Sequence, residues 1–391
     1  MIEPKENKLS PLLKYPGGKD KELKHIIPAL PQNCNRYYEP FVGGGAVYFA
    51  LDAEQYLIND KSAELMNLYK YVKDQDDEFL KKVKDIQHNW DVMRKVINQH
   101  SDTIIGFRNQ YKEGLVNKQR LEDLISEFVL NNNDDFNGML QPRFNVGIDN
   151  FIHLLIKSFK NKIVRMTKLE DTKGELSDED ALLNIEASFK SAFYTHFRYL
   201  YNNTESLDIG IEFATAIYFF IREYCYSSMF RYNSKGEFNV PYGGISYNKK
   251  SMQSKIEYFQ SEELIQHLNN TVLSTNDFKD FVKEYEPQED DFMFLDPPYD
   301  TEFSTYANMS FEKNDQERLA NYLKNECDAH FMLVIKNTEF ISRLYPQGLN
   351  IKNNRRLYVS KFDKKYFVSF KDRNNKDAEH LLITNYPFEV E

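Results

Sequence analysis

The sequence predicts an α/β protein: a mostly parallel, doubly wound sheet interrupted by a long, mostly helical insertion. Three observations carry that prediction. Strand-like apolar runs alternate with helical patterns at both ends of the chain. A glycine-rich turn, Gly43–Gly45, follows the first of those strands. Between roughly Asp74 and Thr215 the alternation stops, and Asn, Asp, Glu and Lys dominate. Repeated βα units with apolar strands imply a parallel-type sheet covered by helices.

The elements follow in order. "RYYEPFVGGGAVYFAL" (Arg36–Leu51) reads as a strand, a glycine turn and a helix. "YLIND" (Tyr56–Asp60) reads as a second strand ending in an acid. In the next segment Leu65, Leu68, Tyr69 and Val72 share a helical face. The acidic run Glu170–Asp180 reads as an exposed loop within the insertion. The pattern resumes with "DDFMFLDPPY" (Asp290–Tyr299), a strand and turn. "NDQERLANYLKNE" reads as a helix with Asn314 as its cap and Glu317 three residues on. "HFMLVIKN" and "EHLLITNY" read as further buried strands.

Composition narrows the class. The chain has 391 residues, 41% of them hydrophobic, enough for one large domain with another inserted. No apolar run reaches the roughly 18–20 residues of a membrane helix, so no membrane partner is expected. The first ten residues lack the layout of a signal peptide. Cys34, Cys225 and Cys327 are far apart and suggest neither a metal site nor a disulfide set, which fits a cytoplasmic protein. The net charge of −10 argues against nonspecific coating of nucleic acid. Local excesses exist nonetheless. Lys352–Lys376 holds nine Lys/Arg against two Asp, interleaved with Tyr358, Phe362, Tyr366, Phe367 and Phe370. Ile156–Lys168 holds five Lys/Arg and no acid. Such segments suit a nucleic-acid groove, and the plainer reading is a solvated strand face and a basic loop.

Three motifs bear on chemistry. In "EPFVGGGAVYF" glycine permits a tight turn and close approach of a ligand, and Asp60 ends the following strand where a ribose diol is held in such sheets. The spacing is not that of a dinucleotide fingerprint, and an ordinary turn remains open. "KYPGGKD" (Lys14–Asp20) lacks the spacing and the Ser/Thr of a phosphate-binding loop. "FMFLDPPYD" (Phe292–Asp300) puts a carboxylate at the carboxyl edge of the sheet. Pro297 and Pro298 add rigid carbonyl acceptors and Tyr299 a flat face, a set suited to a planar ring bearing an amine. A turn closing a strand is the plainer alternative.

Six motifs occur in one order: "LLKYPGGK", "YYEPFVGGGAVYF", "LINDKSAELMNLY", "CYSSMFRYNSKGEFNVPYGG", "FLDPPYD" and "LLITNY". Together they resemble the Dam-type, alpha-class site-specific DNA adenine-N6 methyltransferases, over most of the chain outside the inserted middle. The resemblance implies a Rossmann-like, S-adenosylmethionine-dependent methyltransferase sheet from residues 1–73 and 250–391. It implies an inserted target-recognition region at 74–249, with a DNA-reading hairpin near 225–243. Tyr15, Gly17, Gly18, Lys19, Phe41, Gly43, Gly45, Asp60, Asp277, Phe278 and Asp296 match positions around S-adenosylmethionine. Asp296, Pro297, Pro298 and Tyr299 match the catalytic clamp, with no metal. Lys14, Tyr226, Ser227, Met229, Arg231, Asn233, Asn239 and Pro241 match the DNA-contacting set, and Tyr242 lies in the same signature. Arginine to guanine is the commonest specific contact, so Arg231 is the expected base-reader.

The implied activity is methyl transfer to N6 of an adenine flipped out of double-stranded DNA. A cognate restriction endonuclease is a conceivable partner. Methylation of RNA or protein amines, and a non-catalytic DNA-binding module, are the competing readings. The hairpin and the motif order favour DNA, and the intact Asp-Pro-Pro-Tyr and glycine motifs favour an enzyme. The segment between Asp60 and Met229 is longer than in compact family members, so the target sequence does not follow from the resemblance.

Overall fold

The structure is a computed structural model that describes residues 2–137, 146–299, 311–365 and 377–388. Its contacts divide it into two units, Met1–Asp74 with Ser261–Glu391, and Gln75–Gln260.

Among the described residues the first unit carries a seven-stranded sheet. Its strands are β1 (Arg36–Glu39), β2 (Gln55–Asn59), β3 (Thr271–Ser274), β4 (Phe292–Leu295), β5 (His330–Lys336), β6 (Tyr358–Lys365) and β7 (Asp377–Thr384). Their order across the sheet is β3-β2-β1-β4-β5-β7-β6. The first five are mutually parallel. β7 runs antiparallel to both β5 and β6. The antiparallel turn between β6 and β7 has a physical reason. The link between Lys365 and Asp377 is shorter than the dozen or more residues a parallel crossover needs. β4 is buried along its whole length, which accounts for its unbroken apolar run. The strand order reverses between β1 and β4. Sheets of this kind bind ligands in the crevice outside the carboxyl ends at such a point.

Three local expectations are corrected. No α-helix follows the glycine turn: Tyr48–Ala50 makes one 3₁₀ turn, and Leu51–Asp52 then pairs antiparallel with Glu3–Pro4. Residues 46–50 are all buried, so this segment needs no solvent-facing side and lacks the amphipathic period of a surface helix. The helix Lys313–Asn325 is capped by Glu312 with Asp315, not by Asn314 with Glu317. In the Glu170–Asp180 run, helices reach to Lys173 and resume at Asp178. Glu170 is buried, bonded to the Arg108 guanidinium and to the Leu176 N–H.

The second unit is predominantly helical. Its long helices are Asp77–Gln99, Ile148–Lys173 and Asp178–Asn202, with Ser101–Lys112, Lys118–Asn131 and Ile211–Tyr224 beside them. Trp90, the chain's single tryptophan, is fully buried among Phe193, Phe220, Tyr224 and Tyr242. Aromatic burial of this kind dominates the stability of small helical cores. The unit runs on to Gln260 through the helix Gln253–Phe259. No helix among the described residues is long and apolar enough to cross a membrane.

Candidate active site

The carboxyl ends of β1, β2 and β4, with the loop after β3, converge in the first unit. After β1 the chain turns through Gly43 (φ +48°) and Gly45 (φ +72°). A Cβ on Gly45 would lie 2.6 Å from the Tyr69 hydroxyl and 3.1 Å from the Phe49 ring. One on Gly43 would lie 3.2 Å from the Tyr15 ring. Only glycine fits here, for space as well as for φ. The Tyr15 side chain thus packs directly on the glycine turn. Its own loop turns at Gly17 (φ +81°), where the Gly18 N–H reaches the Tyr15 carbonyl at 3.2 Å.

Asp60 stands one residue past β2. Its carboxylate accepts from the Gly43 N–H at 3.0 Å and the Ser62 N–H at 2.9 Å, fastening the glycine turn to the end of β2. Desolvation pushes this carboxyl above its ordinary value, against the pull of those two N–H bonds. Sequence reading missed Asn59 beside it. The buried Asn59 amide donates to the carbonyls of Pro40 (2.9 Å) and Asn276 (3.0 Å), and accepts from the Asn276 N–H (2.8 Å). It therefore ties together the loops after β1 and β3.

Asp277 caps the helix Phe278–Tyr285 and pairs with Arg318 at 2.8 Å and Lys61 at 3.3 Å. Burial works against its ionised form, but the Lys279 N–H, Arg318 and Lys61 outweigh it and hold the carboxyl below its usual range. Phe278, Phe41 and Phe311 form an aromatic cluster, with ring centroids 5.4–6.2 Å apart.

Asp296 follows β4 directly. Its carboxylate pairs with the Lys19 ammonium, whose side chain is only 3% exposed. Lys19 also donates to the Gly17 carbonyl (3.1 Å) and the Tyr299 hydroxyl (3.3 Å). Beneath the pair lies Glu39, bonded to the Tyr37 hydroxyl at 2.7 Å. Desolvation, opposed by the Tyr37 bond, pushes the Glu39 carboxyl well above its ordinary range. The Pro298 carbonyl accepts from the buried Gln316 amide at 2.8 Å. Tyr15, Gly17, Lys19, Phe41, Gly43, Gly45, Asp60, Asp277, Phe278 and Asp296–Tyr299 thus all lie in the first unit, around the sheet's switch point. Lys14 is exposed on the same loop as Tyr15. Asp300 lies outside the described residues.

The other singled-out residues lie in the second unit. Residues 225–243 form a narrow antiparallel ribbon with bridges Cys225↔Tyr242 and Tyr232↔Phe238. The Tyr226 N–H meets the Pro241 carbonyl at 2.8 Å. Tyr226 is 47% exposed, next to Ser227 and Ser228 with positive φ. The Arg231 guanidinium donates to the Asn239 side chain at 2.9 Å. The Asn233 carbonyl oxygen accepts from the Lys235 and Glu237 N–H groups, so this side chain builds the turn itself. Met229 is half-buried. The helix Asp178–Asn202 holds one arm: Tyr194 and Arg198 each donate to the Val240 carbonyl at 2.9 Å, and Asn202 brackets Phe238.

The basic segment Lys352–Lys376 is partly consumed by the fold. Lys352 pairs with Asp328, Arg355 donates to the carbonyls of Asp328 and Ala329, and Lys361 pairs with Glu379. Tyr366, Phe367 and Phe370 lie outside the described residues.

A strand-end acid, rigid prolines and an aromatic ring lie beside a glycine turn at the sheet's switch point, where open α/β sheets bind ligands. Residues 15–180 and 148–360 match the D12 class N6 adenine-specific DNA methyltransferase family. The chain belongs to that family, and it is a DNA adenine-N6 methyltransferase. The chain is 24% identical to the Type II methyltransferase M.CviBI of Paramecium bursaria Chlorella virus NC1A, over 97% of this chain and 100% of that one. It is 25% identical to the Type II methyltransferase M.MjaIII of Methanocaldococcus jannaschii, over 97% and 99%. It is 23% identical to the DNA adenine methylase of Haemophilus influenzae, over 88% of each. The sheet, mostly parallel with an antiparallel β7, is consistent with a methyltransferase fold.

Proposed function

We propose that the chain transfers the methyl group of S-adenosylmethionine to N6 of an adenine extruded from double-stranded DNA, at Asp296–Tyr299. The observation that carries this reading is the position of Asp296. It stands at the carboxyl end of β4, across the switch point from a glycine turn that no larger residue could form. S-adenosylmethionine supplies an activated methyl group when bound. The donor set suits it. Phe41 and the Tyr15–glycine turn let backbone approach the methionine end, Asp60 offers carboxylate oxygens to the ribose, and Asp277 and Phe278 lie toward the adenine ring.

The chain's own residues then act on the target base. An adenine in the duplex is out of reach, so it must leave the stack. Tyr299 stacks on the extruded ring. Asp296 and the Pro297 carbonyl accept the two N6–H bonds, which draws the nitrogen lone pair out of conjugation. The surplus proton of the amine leaves by way of the Asp296 carboxylate to solvent. Lys19 fixes the rotamer of that carboxylate, so positioning and electrostatics provide most of the acceleration.

In the second unit, Arg231 with Asn239, exposed Tyr226, Ser227 and Pro241 form the DNA-reading ribbon, and Asn233 shapes it. Lys14 reaches a base from the first unit. The Type II names of two relatives support a modification role beside a cognate endonuclease. Cys34, Cys225 and Cys327, all buried and free, suit a reducing cytoplasm.

The test is incubation with isotope-labelled S-adenosylmethionine and duplex DNA, RNA or protein, followed by mass spectrometry of the digested products. Label in N6-methyladenine from duplex DNA is expected. Label confined to RNA or protein would overturn the reading.

A further inference from the structure

Two side chains far from Asp296–Tyr299 in sequence hold that loop from outside. His380 sits in β7, opposite Phe362 of β6 and Lys336 of β5, and is completely buried. Its flanking strand neighbours at 381–383 are aliphatic, so an imidazole here is costly unless its nitrogens are bonded. Nε2 lies 3.3 Å from the Tyr299 hydroxyl. The two rings meet edge to face, with centroids 5.5 Å apart and planes at 69°. Phe362 backs the imidazole at 5.8 Å and is itself stacked on His25 at 4.6 Å.

An ammonium only donates, so the Tyr299 oxygen accepts from Lys19, and the same hydroxyl shares a hydrogen bond with His380 Nε2. A continuous chain thus runs Asp296–Lys19–Tyr299–His380. The second contact is made by Gln316, fully buried on the helix Lys313–Asn325, which donates to the carbonyl of the preceding Pro298. Backbone and ring tip of consecutive residues are both pinned, which sets the plane of the ring between them.

We propose that His380 is a positioning residue for catalysis. It orients the Tyr299 ring face toward the extruded adenine, with Gln316 steadying the backbone that carries it. The inference rests on the reading that Tyr299 stacks on the target base. Preorganised geometry of this kind acts on the rate of the chemical step more than on affinity.

A double-mutant cycle on the full chain, read by single-turnover methylation of duplex DNA, tests it. Tyr299→Phe keeps the ring but removes the hydroxyl, and His380→Leu removes the imidazole partner. Each single variant is expected to lose about tenfold in rate, with KM for S-adenosylmethionine unchanged. The double variant should be no slower than either single one, because both remove the same bond. Multiplying losses, or a wild-type rate for His380→Leu while Tyr299→Ala is inactive, would overturn the proposal. If His380→Leu does not fold, His380→Gln places an amide group, able to donate or accept, near the position of Nε2. A rate within about threefold of wild type supports the proposal, and a loss as large as that of Tyr299→Phe overturns it. A wild-type rate for Tyr299→Ala would instead remove the stacking reading beneath it.

Discussion

Lys19 and Asp296 form an ion pair although 277 residues separate them in the chain. The lysine is buried and the acid is partly open to solvent. The pair joins the loop after Tyr15 to the end of β4 and aims the carboxylate. Removing the ammonium leaves a poorly compensated carboxylate. Lys19→Met is therefore expected to lower stability by about 2–4 kcal/mol, less than for a fully buried pair because Asp296 keeps some solvent. Urea denaturation measures it, and an unchanged midpoint would mean that the pair contributes nothing.

Glycine substitutions should separate by sign. Gly45→Ala places a Cβ 2.6 Å from the Tyr69 hydroxyl at φ +72° and is expected to cost about 2–3 kcal/mol. Gly106→Ala, inside the helix Ser101–Lys112 with nothing within 4 Å, is expected to stabilise by about 0.5–1 kcal/mol. Thermal melts of the two variants decide, and equal shifts would contradict the packing described for the turn.

Glu39 should make stability fall toward alkaline pH. Burial raises its folded-state value well above the ordinary 4.5. The folded protein therefore keeps a proton that the unfolded chain releases. This contribution is complete below about pH 4.5 and is lost as pH rises through the folded-state value. Glu39→Gln should flatten that slope and be relatively more stable at pH 8 than at pH 4. Denaturation series at several pH values would reveal no such difference if Glu39 were ionised in the fold.

His267 should contribute to acid unfolding. It lies among Tyr48, Phe49 and Tyr56, and desolvation lowers its pKa from 6.5 to about 3. The unfolded chain takes up a proton that the fold refuses, so stability falls as pH drops from about 6.5 toward 3. A shift of that size corresponds to roughly 5 kcal/mol when fully expressed. His267→Leu should lose less stability than the wild type over that window. Parallel slopes would show that the histidine is protonated in the fold.

How much of this was legible in the sequence differs from element to element. β4 and β5 could be read directly, because burial on both faces leaves an unbroken apolar run. Asp296, the prolines and Gly43–Gly45 stood out because few other residues suit a strand end or a positive φ. The missing helix after Gly45 could not be read, since "AVYFA" is as apolar as a buried helix and only its packing decides. The charge run beginning at Lys352 looked like a free basic surface, because Asp328 and the carbonyls that engage it are distant in sequence. Asn59, Gln316 and His380 were invisible for the same reason. Each is an ordinary polar residue until the fold brings its partner within hydrogen-bond distance.

The proposed mechanism turns on Asp296 as the acceptor that prepares adenine N6 for methylation. The most direct measurement is methylation-sensitive sequencing of DNA from cells expressing the wild type or Asp296→Ala, each checked for folding by circular dichroism. N6-methyladenine is expected at one recurring motif in the wild type, with a loss of at least about 10²-fold in the variant. Equal methylation by a folded Asp296→Ala protein would contradict this mechanism.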